Sequence, residues 1–236
     1  MVNRFYKNYV SSNIDKQIVI NRSVFKHNKP YFNWLIKKLA IEPKMKILDF
    51  GCGNGVLLYF LKNAGYFNIK GVDISEEQIA VARSLNLEEV QMCDGIEFLK
   101  STDESFDYIF LFDVLEHFSK LDSAEVLELV HSSLKESGKL ILHVPNAEGV
   151  FGMSIRFGDL THEECFTKSS ISQLLKTCGF SSITLFEEKP IIHGIYSFLR
   201  RIIYELLTLP IRLLYLAETG SMDILLSRNI LILSTR

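Results

Sequence analysis

The chain has 236 residues, of which 47% are hydrophobic and 23% are charged, and its formal net charge is −2. This composition predicts one large α/β domain with a substantial core rather than a disordered chain. The nearly neutral charge argues against a nucleic-acid partner, which would need a basic surface. Four scattered cysteines without C-x-x-C spacing, and an N-terminus without the apolar core of a signal peptide, predict a cytoplasmic protein with neither disulfides nor a metal site.

Residues 1–44 precede the first predicted strand, and we expect them to form a helical cap. Apolar residues at helical spacing predict a helix over residues 30–40, which Pro43 should end. Aromatic side chains nearer the N-terminus, among them Tyr6 and Tyr9, either line a small-molecule pocket or pack onto the sheet.

Residues 47–55 read Ile-Leu-Asp-Phe-Gly-Cys-Gly-Asn-Gly. They predict a strand buried on both faces, then a glycine turn and a helix over residues 56–62. The glycines permit positive φ and a close approach of the backbone to a ligand, which the free N–H groups of the helix would face. A dinucleotide fingerprint needs a third small residue three positions after Gly53, and Val56 stands there instead.

Further strands are predicted over residues 67–72, 89–92, 106–112 and 138–146. The helices between them predict a parallel sheet with right-handed crossovers. Asp73 and Asp94 each follow one of these strands, and either one alone fits a helix cap or a turn. Because both lie at the carboxyl edge of the sheet, where open α/β sheets bind ligands, a shared ligand site is the better interpretation.

In the C-terminal part, the residue pattern predicts a helix over residues 169–178, which Gly179 should end. It also predicts a strand over residues 182–186 and a last strand over residues 229–234. Between these strands, residues 191–220 are rich in apolar side chains, and Pro210 should divide them into two helices. This segment fits a lid over a pocket, a dimer face or an interfacial membrane helix. Acidic residues among its arginines favour the lid or the homodimer over membrane contact.

The run Asp49-x-Gly51-x-Gly53-x-Gly55, followed by Asp73 and Asp94 at their spacing, resembles the motifs of class I S-adenosylmethionine-dependent methyltransferases over about residues 45–185. The resemblance implies a doubly wound, seven-stranded, mostly parallel, Rossmann-like α/β sheet, with the last strand antiparallel between strands five and six. It implies one domain over residues 1–236. Its parts are the cap (1–44), the cofactor-binding core (45–188), a helical insertion (189–228) and the last strand (229–236).

The resemblance also implies S-adenosylmethionine as the cofactor, with Asp73 accepting from the ribose hydroxyls and Asp94 from the adenine amino group. The expected cofactor-binding residues are Asp49, Gly51, Cys52, Gly53, Asn54, Gly55, Asp73, Ile74, Asp94, Gly95, Phe112, Asp113, Val114 and His117. His117 belongs to an Asp-Val-Leu-Glu-His stretch that many methyltransferases share, which favours a structural or cofactor-pocket role. His143 is predicted to be a core histidine with a satisfied hydrogen bond.

Methyl transfer to an alcohol needs a group that accepts the alcohol's proton. The loop over residues 156–167 is similar to loops of ubiquinone-pathway O-methyltransferases and, more closely, of bacterial surface-glycan methyltransferases. By that resemblance His162 is the base, and Glu163 orients it or binds the acceptor. His162 would otherwise only cap the following helix. The expected acceptor-binding residues are Tyr6, Tyr9, Asn146, Arg156 and Asp159.

These features predict a methyltransferase that methylates an oxygen of a small polar acceptor. The acceptor we expect is a sugar or nucleotide-linked precursor of a surface or capsular polysaccharide. A quinone-pathway O-methyltransferase is an alternative, with residues 191–220 approaching a membrane-held substrate. A cofactor-binding partner protein without activity is a third possibility, although the intact set of glycines and acids argues against it.

Overall fold

The computed structural model of the protein describes residues 22–236, so Tyr6 and Tyr9 lie outside the described part. The strands are β1 (Ile47–Phe50), β2 (Ile69–Asp73), β3 (Val90–Met92), β4 (Phe106–Phe112), β5 (Leu134–Pro145), β6 (Ser181–Glu187) and β7 (Asn229–Thr235). They form a seven-stranded sheet in the order β3-β2-β1-β4-β5-β7-β6. Strands β1 to β5 pair in parallel, and β7 lies antiparallel between β5 and β6. The predicted doubly wound sheet and the place of its last strand are therefore confirmed.

The helices cover the sheet on both faces, as the continuous apolar run of β4 requires. They are α1 (Arg22–Leu39), α2 (Val56–Asn63), α3 (Glu76–Ser84), α4 (Gly95–Ser101), α5 (Lys120–Ser133), α6 (Gly152–Arg156), α7 (Lys168–Thr177) and α8 (Ile195–Thr219), and a short 3₁₀ turn spans Leu115–His117. Phe106, Phe110 and Leu111 of β4 are completely buried, because helix side chains contact both sides of the strand.

Helix α1 begins earlier than predicted, at Arg22 rather than at residue 30, and it contains Pro30. Proline is expected at the start of a helix rather than inside it. Tertiary packing explains the longer helix, because the ring of Phe25 lies 4.3 Å from the ring of Tyr59 on α2. This contact holds the first turns of α1 against the domain.

The prediction that Pro210 divides residues 191–220 into two helices is wrong, since α8 runs without a break for 25 residues. A proline removes only one backbone N–H from the helix. Side-chain contacts on both sides of Pro210 support the helix: the Thr208 hydroxyl donates to the Tyr204 carbonyl of the same helix at 2.7 Å, and Arg212 binds Glu187 of β6 at 2.6 Å. Within residues 22–236, no helix is long and apolar enough to cross a membrane.

Candidate functional site

A cavity of about 950 Å³ opens at the carboxyl edge of the sheet, at the ends of β1, β2 and β4. This volume lies at the upper end of the usual range for ligand pockets. Its wall contains most of the predicted cofactor residues: Asp49, Gly51, Cys52, Gly53, Asn54, Asp73, Ile74, Asp94, Gly95, Phe112, Asp113, Val114 and His117. Gly55 is not on the wall. It precedes α2 with φ +77°, and a Cβ there would lie 2.5 Å from Leu87, so its role is to let the turn pack.

The glycine turn after β1 forms the floor of the cavity. The N–H groups of Gly51 and Cys52 donate to the Val72 carbonyl at 2.8 and 2.9 Å, which ties the turn to β2. Gly51 has φ +74°, and a Cβ at this position would lie 2.4 Å from a methyl group of Val114. A glycine is therefore required here both for the backbone conformation and for the close packing.

Two carboxyl groups lie beside this turn. Asp73 accepts from the N–H groups of Gly53 and Ser75, each at 2.8 Å. Burial raises the pKa of Asp73 even though these two hydrogen bonds lower it. Burial and the charge of Asp73 raise the pKa of Asp49 to about 8. A cationic ligand would stabilise both carboxylates. The floor therefore fits a cofactor that carries positive charge and hydroxyl groups, as S-adenosylmethionine does.

Asp94 lies on the cavity wall and also caps a helix. Its Oδ1 atom accepts from the N–H groups of Ile96 and Glu97 at 2.8 and 3.3 Å, so the side chain caps α4. Helix capping of this kind commonly uses Asp. The expected contact with an adenine amino group stays a prediction.

His117 lies on the cavity wall at the end of the 3₁₀ turn, and the loop after β5 fixes its ring. The Thr161 hydroxyl donates to Asp159 at 2.6 Å and lies 2.9 Å from Nδ1 of His117. Because its single hydrogen goes to Asp159, the hydroxyl can only accept from His117. The Thr161 carbonyl, 3.3 Å from the same nitrogen, is also an acceptor. The proton of the neutral ring therefore resides on Nδ1, and Nε2 carries the lone pair.

Electrostatics keep His117 neutral. Burial lowers its pKa, and the nearby His162 lowers it further, while Thr161 and the surrounding carboxylates only partly oppose this shift. A neutral imidazole with an unprotonated nitrogen can accept a proton near neutral pH.

His143 on β5 has the opposite surroundings. Its Nδ1 lies 2.7 Å from Asp113, its Nε2 lies 2.6 Å from Glu188, and the Tyr31 hydroxyl donates to Glu188 at 2.6 Å. Burial alone would lower the pKa of His143, but the two carboxylates raise it well above its usual value. His143 is therefore a buried imidazolium, and it lowers the pKa values of Asp113 and Glu188. This agrees with the prediction of a core histidine, and it places an ionised Asp113 on the cavity wall.

His162 is not part of the cavity wall, contrary to the expected position of its loop. Its side chain is largely buried, with Nδ1 3.0 Å from the Ile155 carbonyl, and its ring packs 4.8 Å from the ring of His117. The reason is local: the Arg156 guanidinium donates to the carbonyls of His162 and Glu163, which folds the loop onto itself. His162 thus supports His117 rather than facing a ligand.

The other predicted acceptor-binding residues also lie off the cavity wall. Glu163 is exposed, and only its backbone N–H reaches inward, to the Glu116 carbonyl at 2.7 Å. Arg156 and Asp159 have the structural contacts already given. Asn146 is completely buried, and its amide donates to the carbonyls of Leu225 and Ser227 at 2.7 and 2.8 Å. Asn146 therefore joins two chain segments and is not placed to bind an acceptor.

Sequence reasoning missed Thr161, although its position next to His162 in a polar loop was an available signal. It also missed the environment of Glu116, which is 1% exposed and has no hydrogen-bond partner for either side-chain oxygen among the described residues. Burial and the charge of Asp113 raise the pKa of Glu116 well above its usual value. Ligand atoms of Glu116, His117 and His162 lie within 4.8 Å of one another, so this group could hold a divalent cation. The predicted absence of a metal stays a prediction.

Comparisons with known proteins agree with this geometry. A family model described as a methyltransferase domain matches residues 25–185, more than half of the chain. Among curated proteins, the ubiquinone biosynthesis O-methyltransferase of Pseudomonas aeruginosa strain UCBPP-PA14 is 29% identical over 119 residues, which cover 48% of this chain and 50% of that protein. An uncharacterised protein of Methanocaldococcus jannaschii is 32% identical over 116 residues, which cover 49% and 48% of the two chains. The chain spans about half the length of the curated relatives that it matches.

Solved structures share the whole fold. A SAM-dependent methyltransferase from Archaeoglobus fulgidus has a TM-score of 0.66 at 21% identity, covering 92% of this chain and all of its own. Magnesium protoporphyrin IX methyltransferase from Synechocystis PCC 6803, with bound SAH, has a TM-score of 0.62 at 16% identity and 99% coverage of both chains. By its family match, the chain belongs to the methyltransferase domain family, and it shares the fold and sheet order of the S-adenosylmethionine-dependent methyltransferases among the solved structures.

Proposed function

We propose that the protein transfers a methyl group to a hydroxyl oxygen of a small acceptor, and that His117 accepts the hydroxyl proton. The observation that carries this proposal is the Asp159–Thr161–His117 chain of hydrogen bonds, which orients the ring of a cavity-wall histidine and favours the tautomer protonated on Nδ1. When bound, S-adenosylmethionine supplies an electrophilic methyl group. The floor residues Asp49, Gly51 and Asp73 would hold it.

The protein's own contribution to such a reaction is positioning and proton transfer. His117 is neutral and has a fixed tautomer, so it is ready to accept a proton without first losing one. Asp113, on the same wall, is kept ionised by His143 and can accept a hydrogen bond from a second hydroxyl of the acceptor. Two acceptors of hydrogen bonds on one wall favour a ligand with more than one hydroxyl group.

The acceptor that best fits these groups is a sugar or a nucleotide-linked precursor of a surface or capsular polysaccharide. The loop over residues 156–167, which resembles that of surface-glycan methyltransferases, supports this choice through its contacts with His117. The other predicted roles, including those of Asp94 and Ile74 at the adenosine end, belong to the same proposal.

A second candidate is O-methylation in a quinone pathway. The similarity to the ubiquinone biosynthesis O-methyltransferase of Pseudomonas aeruginosa favours it, although that similarity covers half of either chain. A catechol also presents two neighbouring hydroxyl groups to His117 and Asp113, so the wall residues alone do not separate the two classes.

Turnover of the purified full chain with isotope-labelled S-adenosylmethionine tests the proposal. Parallel reactions contain nucleotide-activated sugars, free sugars or a catechol, and mass spectrometry locates the new methyl group. We expect an O-methylated sugar, and an O-methylated catechol would instead support the quinone pathway. Methylation only at nitrogen or carbon would refute the proposal. Tight cofactor binding without turnover of any acceptor would support a partner protein without activity.

A further inference from the structure

Helix α8 has an inverted arrangement of polar and apolar residues. A helix on a protein surface normally packs its apolar side inward and exposes its polar side. In α8, the buried residues are Ser197 and Thr208. Two ion pairs join the inward face to the domain. Arg212 binds Glu187 at 2.6 Å, and Lys189 binds Glu205 at 3.0 Å. The polar face of the helix therefore packs on its own domain.

The exposed side of α8 is apolar, and one row of residues along it follows a heptad repeat. Side chains alternate at spacings of four and three residues, namely Ile195, Leu199, Ile202, Leu206, Leu209, Leu213 and Leu216, and between 38% and 65% of each is exposed. An apolar repeat with a mean spacing of 3.5 residues, kept over three heptads, is typical of a helix that pairs with another helix. We call this row of side chains the seam.

The extent of the exposed face also points to a protein partner. A helix of 25 residues is about 37 Å long, and the outward half of its surface, about 10 Å across, presents roughly 600 Å². The largest apolar patch of a typical monomer is about 300–600 Å², whereas one side of a standard protein interface buries about 800 Å². The exposed half of α8 therefore reaches the upper limit for a monomer, and the seam within it supplies only part of one side of a standard interface.

The charges on α8 argue against a lipid surface as the occupant. Helices that lie on membranes use Lys and Arg on their polar face to contact lipid headgroups. Here Arg212 pairs with Glu187, and Arg201 pairs with Glu205 at 2.8 Å. Arg201 and Arg212 are therefore neutralised within the protein. The third arginine of the helix, the exposed Arg200, is a single cation where lipid-binding segments present a cluster of about four to eight.

We propose that the seam of α8 packs against the seam of α8 in a second copy of this chain, which forms a homodimer. The helix pair buries the leucine and isoleucine side chains that each domain leaves exposed. The cavity at the carboxyl edge of the sheet belongs to each protomer separately, so the dimer does not depend on the proposed methyl-transfer activity.

Sedimentation analysis of the full chain and two double variants tests this interface. The seam variant is Leu206→Glu with Leu213→Glu, and the matched control is Leu207→Glu with Leu214→Glu. The control leucines are exposed by 69% and 63%, at least as much as the seam leucines at 63% and 50%, but each lies about 100° further round the helix. Charges buried in the seam should weaken the dimer by about 30-fold or more, as for interface hot spots.

We expect the wild-type chain and the control to sediment as dimers of 27.1 kDa protomers, and the seam variant as a monomer. A wild-type chain that stays monomeric at tens of micromolar concentration would overturn the proposal, whatever the variants do. Equal dissociation of both variants, together with binding of the wild type to phosphatidylglycerol vesicles, would also overturn it and identify lipid as the occupant. Circular dichroism of each variant checks that α8 stays folded.

Discussion

The two histidines beside the cavity, His117 and His143, are both largely buried, yet their surroundings leave one neutral and make the other a cation. His143 lies between two carboxylates and is an imidazolium, whereas His117 meets a hydroxyl and a carbonyl and stays neutral. Burial acts on both pKa values in the same direction, so the partners decide the outcome. One histidine is therefore suited to hold structure and fix a neighbouring charge, and the other to accept a proton.

The largest effect should come from His117. His117→Ala removes the proposed base, and we expect turnover to fall by about 10²–10⁴-fold with cofactor affinity nearly unchanged. Because burial lowers the pKa of His117, the rise of wild-type activity with pH should lie below about pH 6.5, and this limb should be absent in the variant.

His162→Ala is the matched control, since its ring packs 4.8 Å from that of His117. It should reduce turnover by much less and keep the pH limb, which moves to higher pH because His162 lowers the pKa of His117. If His162→Ala abolished the limb while His117→Ala kept it, the roles of the two histidines would have to be exchanged.

The next largest effect should come from His143, and it should lower the free energy of unfolding. His143→Ala removes the partner of Glu188, whose carboxylate is largely buried, and of Asp113, whose side chain is 58% exposed. Loss of one member of a buried ion pair costs about 3–5 kcal/mol in the free energy of unfolding, and the exposure of Asp113 places the expected loss at the lower end of this range. Urea denaturation measures this change. His27→Gln, at an exposed histidine of α1, should change stability by less than about 0.5 kcal/mol.

The same variant has a defined pH dependence. The pKa of His143 is raised on folding, so its contribution is complete below its unfolded value and is lost as the pH rises through the folded value. The pKa values of Asp113 and Glu188 are lowered, so their contribution is complete above their unfolded values and is lost as the pH falls. The stability difference between wild type and His143→Ala should therefore be greatest between about pH 4.5 and 6.5. A difference that grew steadily above pH 7 would contradict the assigned charges.

The affinity for the cofactor should depend on the floor of the cavity, where Asp73 lies, rather than on the two histidines. Asp73→Ala should weaken binding of S-adenosylmethionine by about 2–3 kcal/mol, because hydrogen bonds to a charged group are worth about 1.5–3 kcal/mol each and water compensates in part. Calorimetry measures this loss, with the exposed Asp103→Ala as the control. Equal affinities of both variants would remove Asp73 from the site.

The smallest effect should come from Thr161, which orients His117 without contacting the acceptor. Thr161→Val removes the hydroxyl that accepts from Nδ1, and we expect about a fivefold lower kcat with KM little changed, which matches a hydrogen bond of about 1 kcal/mol. Thr161→Ser restores the hydroxyl and should restore kcat. A valine variant with normal kcat would show that the tautomer of His117 needs no such support.

The sequence predicted the sheet and the cavity floor because both depend on local patterns. The apolar run of β4 and the glycine turn at Gly51 each carry their own signal. Predictions failed where individual side-chain contacts decide the structure. The loop with His162 folds inward because Arg156 binds its carbonyls, and α8 continues through Pro210 because Glu187 holds it from β6. Neither contact leaves a periodic pattern in the sequence.

The end of β6 carries two consecutive glutamates that serve different parts of the molecule. Glu187 binds Arg212 of α8, whereas Glu188 binds His143 beside the cavity and Tyr31 of α1. Successive Cα atoms lie about 3.8 Å apart, and a rigid peptide plane joins them. A displacement of α8 that moves Glu187 therefore also moves Glu188. This strand end therefore places the contact that holds α8 one residue away from the carboxylate that holds His143.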